Sequence, residues 1–450
     1  GELSDKLNSI HGVNYSLRYW RILVGPWLMT FVPVVYDRWS SLEKATSSYN
    51  ISKTFVIDFS DLESIPQDQF HFEELIKSDQ WNHFIYSSIL KKTKSVRIIN
   101  IENNNISIEQ IPKYRVDLDD GFSLRALILK LASGITKIFA ENNSIFIFES
   151  YLRKIDLLKL QLKLFQFPAL HSSPKYQNFK ADIKAREWEL SNSRAKSSFE
   201  ETLRDLIPLQ IPAVYLEGYE KLNEKSTKTR WPKNPKLIWT SNGLYTDEVF
   251  KIWSAKKTES GTPLLVGQHG GVYGTALFSI TVDHELKLSD YFLSWGSSKW
   301  DSNINNEKII PIGIFKKYKK RVEKKSVLLV SSDIARYSNI VVSLPMASQW
   351  LYADENEFNF VSLLPDYIVK DFIVRPFVHQ YGWSQSERWR ERFPKIKIDS
   401  GENRLDHLFL RSKISISTWN TTTCLETLSL NIPTLMFWEP KYFEIKKSAV

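Results

Sequence analysis

Short apolar runs rich in β-branched and aromatic residues recur along this chain of 450 residues, and stretches of helical periodicity separate them. That alternation constrains the fold more than any other feature. Strands joined through helices cross over and lie parallel, which yields an α/β architecture with helices packed on the sheets. The runs are 54–59 (TFVIDF), 144–148 (SIFIF), 236–240 (KLIWT), 263–268 (PLLVGQ), 291–295 (YFLSW) and 309–312. Helical patterns at 122–131 and 247–256 fall between them, and the first fifty residues read as helical and aromatic. Residues 154–209 read as a largely helical insertion that shapes a cleft.

After a lysine-rich stretch the alternation restarts. Strands are expected at 327–330 (VLLV), 372–374, 396–398, 414–417 and 434–437, with helices at 340–352, 402–411 and 422–430. This is a second doubly wound unit of the Rossmann type. The expected organisation is therefore a first Rossmann-like domain over 1–315, a linker at 316–325 and a second over 326–450. Ligands of such folds bind outside the carboxyl ends of the strands, so two units joined by an exposed linker point to an enzyme with a deep cleft. The final KYFEIKKSAV reads as a helix just beginning, and the chain is expected to lack pieces at both ends.

Composition narrows the class. With 42% hydrophobic and 25% charged residues, the chain is neither disordered nor fibrous. A single cysteine, Cys424, excludes an internal disulfide framework and a thiolate zinc cluster. The net charge of +9 is concentrated in two segments. Residues 316–325 (KKYKKRVEKK) carry seven bases and one acid, and 225–236 (KSTKTRWPKNPK) five bases and no acid, so the remainder is at −2. Local clusters suit an anionic ligand or an anionic membrane surface better than nucleic acid; solvated connectors explain each cluster equally well. The longest apolar stretch, 22–36, is too short to span a bilayer and is broken by Pro26 and Pro33, so it reads as a buried helical segment.

Three constellations carry candidate chemistry. In 415–433 (SISTWNTTTCLETLSLNIP) a strand ends at Ser417 and Thr418 and a helix begins near Thr421. Ser417, Thr418, Asn420, Thr421 and Thr422 crowd that helix start, whose free N–H groups and dipole suit a phosphate or carboxylate. Glu426 falls one turn inside, where it would accept ribose hydroxyls. An N-cap needs only one such residue. The second, 267–274 (GQHGGVYG), places Gln268, His269, Gly270 and Gly271 after a strand, where small residues let backbone approach a ligand. It fits neither a dinucleotide fingerprint nor a P-loop. The third, 375–383 (RPFVHQYGW), offers Arg375 and His379 to an anionic donor. For acid–base work the candidates are His269, Asp247 and Glu217, although Asp247 serves equally as a helix N-terminal acid. Asp117 and Asp119 are better explained by capping, and no metal site is inferred.

On HGVNYSLRYWRILVGPW, IPAVYLEGYEKL, IWTSNGLYTDEVFKIW, VGQHGGVYG and STWNTTTCLETLSLNIPTLMFWEPKYFE, the chain resembles a bacterial family of transferases encoded at O-antigen and other surface-polysaccharide loci. More distantly it is similar to GT-B glycosyltransferases that use CMP-activated acidic sugars, the Kdo and polysialic-acid type. The resemblance implies two Rossmann-like domains facing a central cleft, and a metal-independent, cytoplasmic glycosyltransferase of lipopolysaccharide or capsule assembly. It implies a nucleotide-sugar co-substrate of the CMP type rather than a bound cofactor, a glycan or lipid-linked acceptor and no nucleic-acid partner. By that likeness Arg375, His379, Ser417, Thr418, Asn420, Thr421 and Glu426 bind donor, with RPFVHQ standing where the polysialyltransferases have His-Pro. A transferase of polyol phosphate from a CDP carrier would use similar devices, and a non-catalytic glycan-binding or scaffold protein would keep the fold. The lysine cluster at 316–325 suits peripheral association with the cytoplasmic face of the inner membrane.

Overall fold

The computed structural model describes residues 1–57, 59, 61–102, 144–296, 300, 306–314, 325–379, 381–419 and 421–449. The helical pattern at 122–131, the Asp117 and Asp119 pair, residues 316–324 of the basic stretch and Asn420 lie outside them. Two units emerge: Gly1–Val266 with His284–Tyr291, and Gly267–Asp283 with Phe292–Val450.

In the first unit, Ser16 accepts the N–H of Tyr19 and so starts helix Leu17–Leu23. A second helix, Gly25–Ser48, follows with Pro26 in its first turn and Pro33 inside it. The 22–36 stretch is thus two helices, divided ahead of Pro26 because a proline suits a first turn, whereas Pro33 is tolerated within a helix whose buried face includes Trp27, Phe31, Val34 and Val35. Gly25 permits the junction: a Cβ there would stand 2.4 Å from the ring of His284.

Strands β1 (Lys53–Ile57) and β2 (Arg97–Ile101) pair in parallel. A separate parallel row runs β3 (Ile145–Phe148), β4 (Leu237–Thr240) and β5 (Leu264–Gly267). The expected insertion is helical only at its ends, Lys154–Lys163 and Ser198–Gln210. Between them the chain makes two short 3₁₀ turns, in a stretch punctuated by Pro168 and Pro174.

Strands β6 (Tyr291–Ser294) and β7 (Ile309–Pro311) pair in parallel, from Phe292 onward within the second unit. The five-stranded sheet of this unit comprises β8 (Ser326–Val330), β9 (Phe372–Arg375), β10 (Lys397–Ile398), β11 (Ser412–Ser417) and β12 (Thr434–Met436). Its order is β10-β9-β8-β11-β12, all parallel. Alternate residues of β8 serve opposite faces. Leu329 packs with Phe358, Val374, Trp389 and Ile416, while Leu328 and Val330 pack with Leu408, Phe409 and Ile432. A strand covered on both faces needs a continuous apolar run, which is why VLLV reads so clearly.

The helix expected at 340–352 begins only at Trp350 and runs to Ser362. Pro345 disfavours helical geometry at the residue before it, and the preceding segment pairs elsewhere. Ile280 donates to the carbonyl of Val341 at 3.1 Å, and Phe278 and Ser343 exchange hydrogen bonds. Among the described residues, 440–449 likewise form no helix beyond a 3₁₀ turn at Lys447–Ala449, because Ile445 bridges to Ala276 and Lys446 donates to Thr275. Both contacts tie down the glycine-rich segment after β5.

Candidate functional site

The second unit's strand order reverses direction at β8. From β8 the chain moves to β9 on one side and returns to β11 on the other, which opens a crevice beyond their carboxyl ends. A cavity of about 480 Å³ lies there. Ser331 and Ser332 follow β8, Arg375 ends β9, and Trp419 with Thr421, Thr422 and Thr423 follows β11; all line it. The remaining wall comes from His269, Gly270, Gly271 and Tyr273 and from apolar side chains such as Val342 and Phe377.

The helix start is arranged for an anion. Thr421 caps Thr422–Ser429 by accepting the N–H of Cys424 at 3.3 Å. That leaves the N–H groups of Thr422 and Thr423, which have no partner among the described residues. Both belong to residues that line the cavity, and unpaired first-turn donors with the dipole favour negative charge. Gly270 faces the same helix start: a Cβ on it would come 3.9 Å from the Thr422 hydroxyl. The guanidinium of Arg375 is held by Asp399 and by the carbonyl of Asn403 at 3.1 Å, both through Nη1. Among the described residues its Nε and Nη2 have no partner. Burial of Asp399 opposes its charge, but hydrogen bonds from Asn403 and Arg375 outweigh that and hold its pKa below the usual carboxylate value.

On the opposite wall the Tyr273 hydroxyl and Nε2 of His269 lie 2.5 Å apart, a pair suited to proton transfer. Gln268 fixes this loop from behind. Its Nε2 donates to the carbonyl of Gly270 at 2.7 Å, and its Oε1 accepts the N–H of Trp295 at 2.8 Å.

Two buried acids, Glu357 and Asp354, and the half-buried Asp333 lie close to the pocket-lining Ser331 and Ser332. Ser331 donates to Glu357 at 2.6 Å and Thr418 donates to its other oxygen at 2.8 Å. The Glu357 carboxyl therefore joins the ends of β8 and β11. Burial, then the charge of Asp354, raises its pKa to about 8. Burial similarly lifts Asp333 to about 7. Asp354 is raised in the same way despite its hydrogen bonds from Gln385 and Arg388.

Among known proteins, the family model described as LIC12162 family transferase matches residues 1–450. The chain belongs to this family. No curated protein matches it. Among solved structures, the wall teichoic acid polymerase TagF aligns over 70% of this chain and 79% of that one, at 12% identity and a TM-score of 0.30. That likeness is too slight to support either fold or chemistry.

In this LIC12162 family transferase, the pocket gathers His269, Gly270, Gly271, Arg375, Thr421 and Thr422 from the residues singled out in the sequence. Ser417, Thr418 and Gln268 stand behind it as supports: the Ser417 hydroxyl donates to the Trp419 carbonyl at 2.8 Å. Glu426 is buried and does not line the cavity. His379 is exposed beside Phe377 and also lies outside the lining.

Asp247 and Glu217 belong to the first unit and work structurally there. Asp247 caps helix Glu248–Glu259 through the N–H of Phe250 at 2.8 Å. Glu217 forms a bidentate pair with buried Arg186, at 2.7 and 2.8 Å. Sequence reading missed Ser331, Ser332 and Tyr273. The two serines follow VLLV directly, so the end of the first strand of a doubly wound unit was the available signal.

Proposed function

We propose that this transferase binds the nucleotide of an activated donor in the second unit's pocket and transfers the attached sugar to a glycan or lipid-linked acceptor. The observation that carries this reading is where the unpaired N–H groups of Thr422 and Thr423 lie: at the switch point of a parallel sheet, beside the glycine loop and Arg375. The phosphate takes those donors and the threonine hydroxyls. The apolar wall around Val342 and Phe377 takes the nucleoside, and Gly270 and Gly271 let the donor approach the backbone. On transfer, the acceptor oxygen bonds to the sugar carbon and its proton passes to the His269–Tyr273 pair. The bond from that carbon to the phosphate oxygen breaks, and the phosphate keeps its electrons, stabilised by fixed donors and positive charge. His269 takes the acid–base role because Asp247 and Glu217 are committed to a cap and an ion pair. The more distant likeness to GT-B transferases of the Kdo and polysialic-acid type favours a CMP-linked acidic sugar. CDP-polyols belong in the same panel.

Thermal unfolding with CMP, CDP, UDP, GDP and their sugar or polyol conjugates tests this. A ligand at a hundredfold its Kd stabilises the native state by about 2.7 kcal/mol, so the matching nucleotide raises the Tm with a saturating dose dependence. No shift with any member of the panel refutes a nucleotide site.

A further inference from the structure

The first unit carries a surface feature unconnected with nucleotide binding. Helix Lys154–Lys163 closes in a tight backbone turn, with Phe165 donating to the carbonyl of Leu162 at 3.0 Å and Gln166 to that of Gln161 at 2.9 Å. Phe165 takes a left-handed φ of 56° and is 95% exposed. A bulky side chain is a genuine outlier in that backbone region. Here the conformation lifts an aromatic ring into solvent instead of burying it.

The turn is built rather than loose. The Gln161 amide clips both the N–H and the carbonyl of Ala169 at 2.9 Å, and the Gln166 amide does the same to Ile145 at 3.2 Å. Ile155 and Leu162 are exposed on one face of the helix, with Leu164 and Phe167 exposed beside Phe165. Basic residues border this apolar set. Residues 153–167 contain four bases and one acid, a net +3. Arg153 pairs with Asp156 at 2.6 Å, while Lys154, Lys159 and Lys163 have no acidic partner among the described residues. No helix among the described residues is long and apolar enough to cross a membrane.

We propose that residues 153–167 seat the protein on an anionic lipid surface, with Phe165 and Leu162 entering the headgroup boundary and the lysines meeting lipid phosphates. Apolar side chains flanked by flexible cations fit an interface that is apolar below and anionic above. A protein partner or a second copy would leave three unpaired lysines facing a surface of unspecified charge, so lipid is the better complement. The inference is independent of the donor reading, because adsorption needs no nucleotide.

Co-sedimentation of the full chain with vesicles tests it. Binding is expected to vesicles of phosphatidylglycerol and phosphatidylcholine, to be weak to phosphatidylcholine alone, and to fall at high salt. The double variant Phe165→Gly with Leu162→Ser should lower the anionic-vesicle partition constant by about tenfold. Because glycine adopts the left-handed conformation freely, Phe165→Gly alone should melt no lower than the parent, which separates lost binding from misfolding. Parent protein that fails to sediment with anionic vesicles overturns the proposal, as do variants that sediment as well as the parent. A dimer in sedimentation velocity that Phe165→Gly dissolves, without vesicle binding, also overturns it in favour of self-association.

Discussion

His269 is held within its own loop by Tyr273. Tyr273, four residues on, reaches Nε2 at 2.5 Å, and Gly274 between that tyrosine and Trp300 sits at φ 73°, where a Cβ would meet the indole at 2.8 Å. The loop can make this approach only with glycine at that position. If His269 moves the proton in transfer, His269→Ala should lower kcat by about 10²–10⁴ while the nucleotide-induced rise in Tm persists. Steady-state kinetics beside thermal unfolding checks this, and loss of both together would assign the residue to donor binding instead. His269, Arg375 and Thr421 were legible because their chemistry is unusual for where they stand: a histidine among glycines, an arginine closing a strand, a threonine opening a helix. Asp247 stands at the helix N-terminus that its context also suggested, and Glu217 in an ion pair that its context did not reveal. A carboxylate's sequence context does not show whether an arginine such as Arg186 already engages it.

The helix Thr422–Ser429 shows how one element combines stability and recognition. Thr421 satisfies the Cys424 N–H through its side chain, while the next two N–H groups stay available to a ligand. Thr421→Ala should therefore cost about 1 kcal/mol of stability and also weaken nucleotide binding. Thr422→Val should weaken binding with little change in the ligand-free Tm. Titrations of both variants against the nucleotide that stabilises the parent separate the two roles; equal loss of ligand-free stability would refute the division. Elements of this kind were readable where local signals agree. The strand KISIS, the polar cap and the apolar helix face all point one way. They were unreadable at 340–352, where a helix-like pattern loses to Pro345 and to pairing with the distant backbone at 278–280. Sequence periodicity carries no trace of a partner sixty residues away.

Across the whole molecule, the parallel α/β class followed from alternation alone, and the stretches that carried the family resemblance divide between scaffold and site. AVYLEGY and TDEVFKIW meet in the first unit's core. There the Tyr215 hydroxyl stands 2.6 Å from buried Lys251, which pairs with Glu248 at 2.8 Å. From GQHGG and STWNTTT, by contrast, His269, Gly270, Gly271, Trp419, Thr421, Thr422 and Thr423 line the pocket. Both units bury carboxyl groups, a consequence that composition could not announce. Burial raises Glu73 to about 7 in the first unit, and Asp333 to about 7 and Glu357 to about 8 in the second. A raised carboxyl pKa means that the native state holds protons which the unfolded chain has already released, so each group loses stability as pH rises towards its folded pKa. Burial lowers the pKa of His284 to about 4 and also lowers that of His11; these act the other way, but only below the unfolded histidine value near 6.5. Between pH 6.5 and 8 the acids alone are still titrating among these groups. The melting temperature should therefore fall across that interval, each acid contributing at most about 1.4 kcal/mol per pH unit. Glu357→Gln, whose amide oxygen accepts from one of the two hydroxyls of Ser331 and Thr418 while its NH2 donates to the other, has no titrating proton and should make the fall in the second unit shallower. Calorimetry of parent and variant at pH 6.5, 7.2 and 8 tests this, and a melting temperature that rises with pH in the parent would show that these carboxyls are already ionised in the fold.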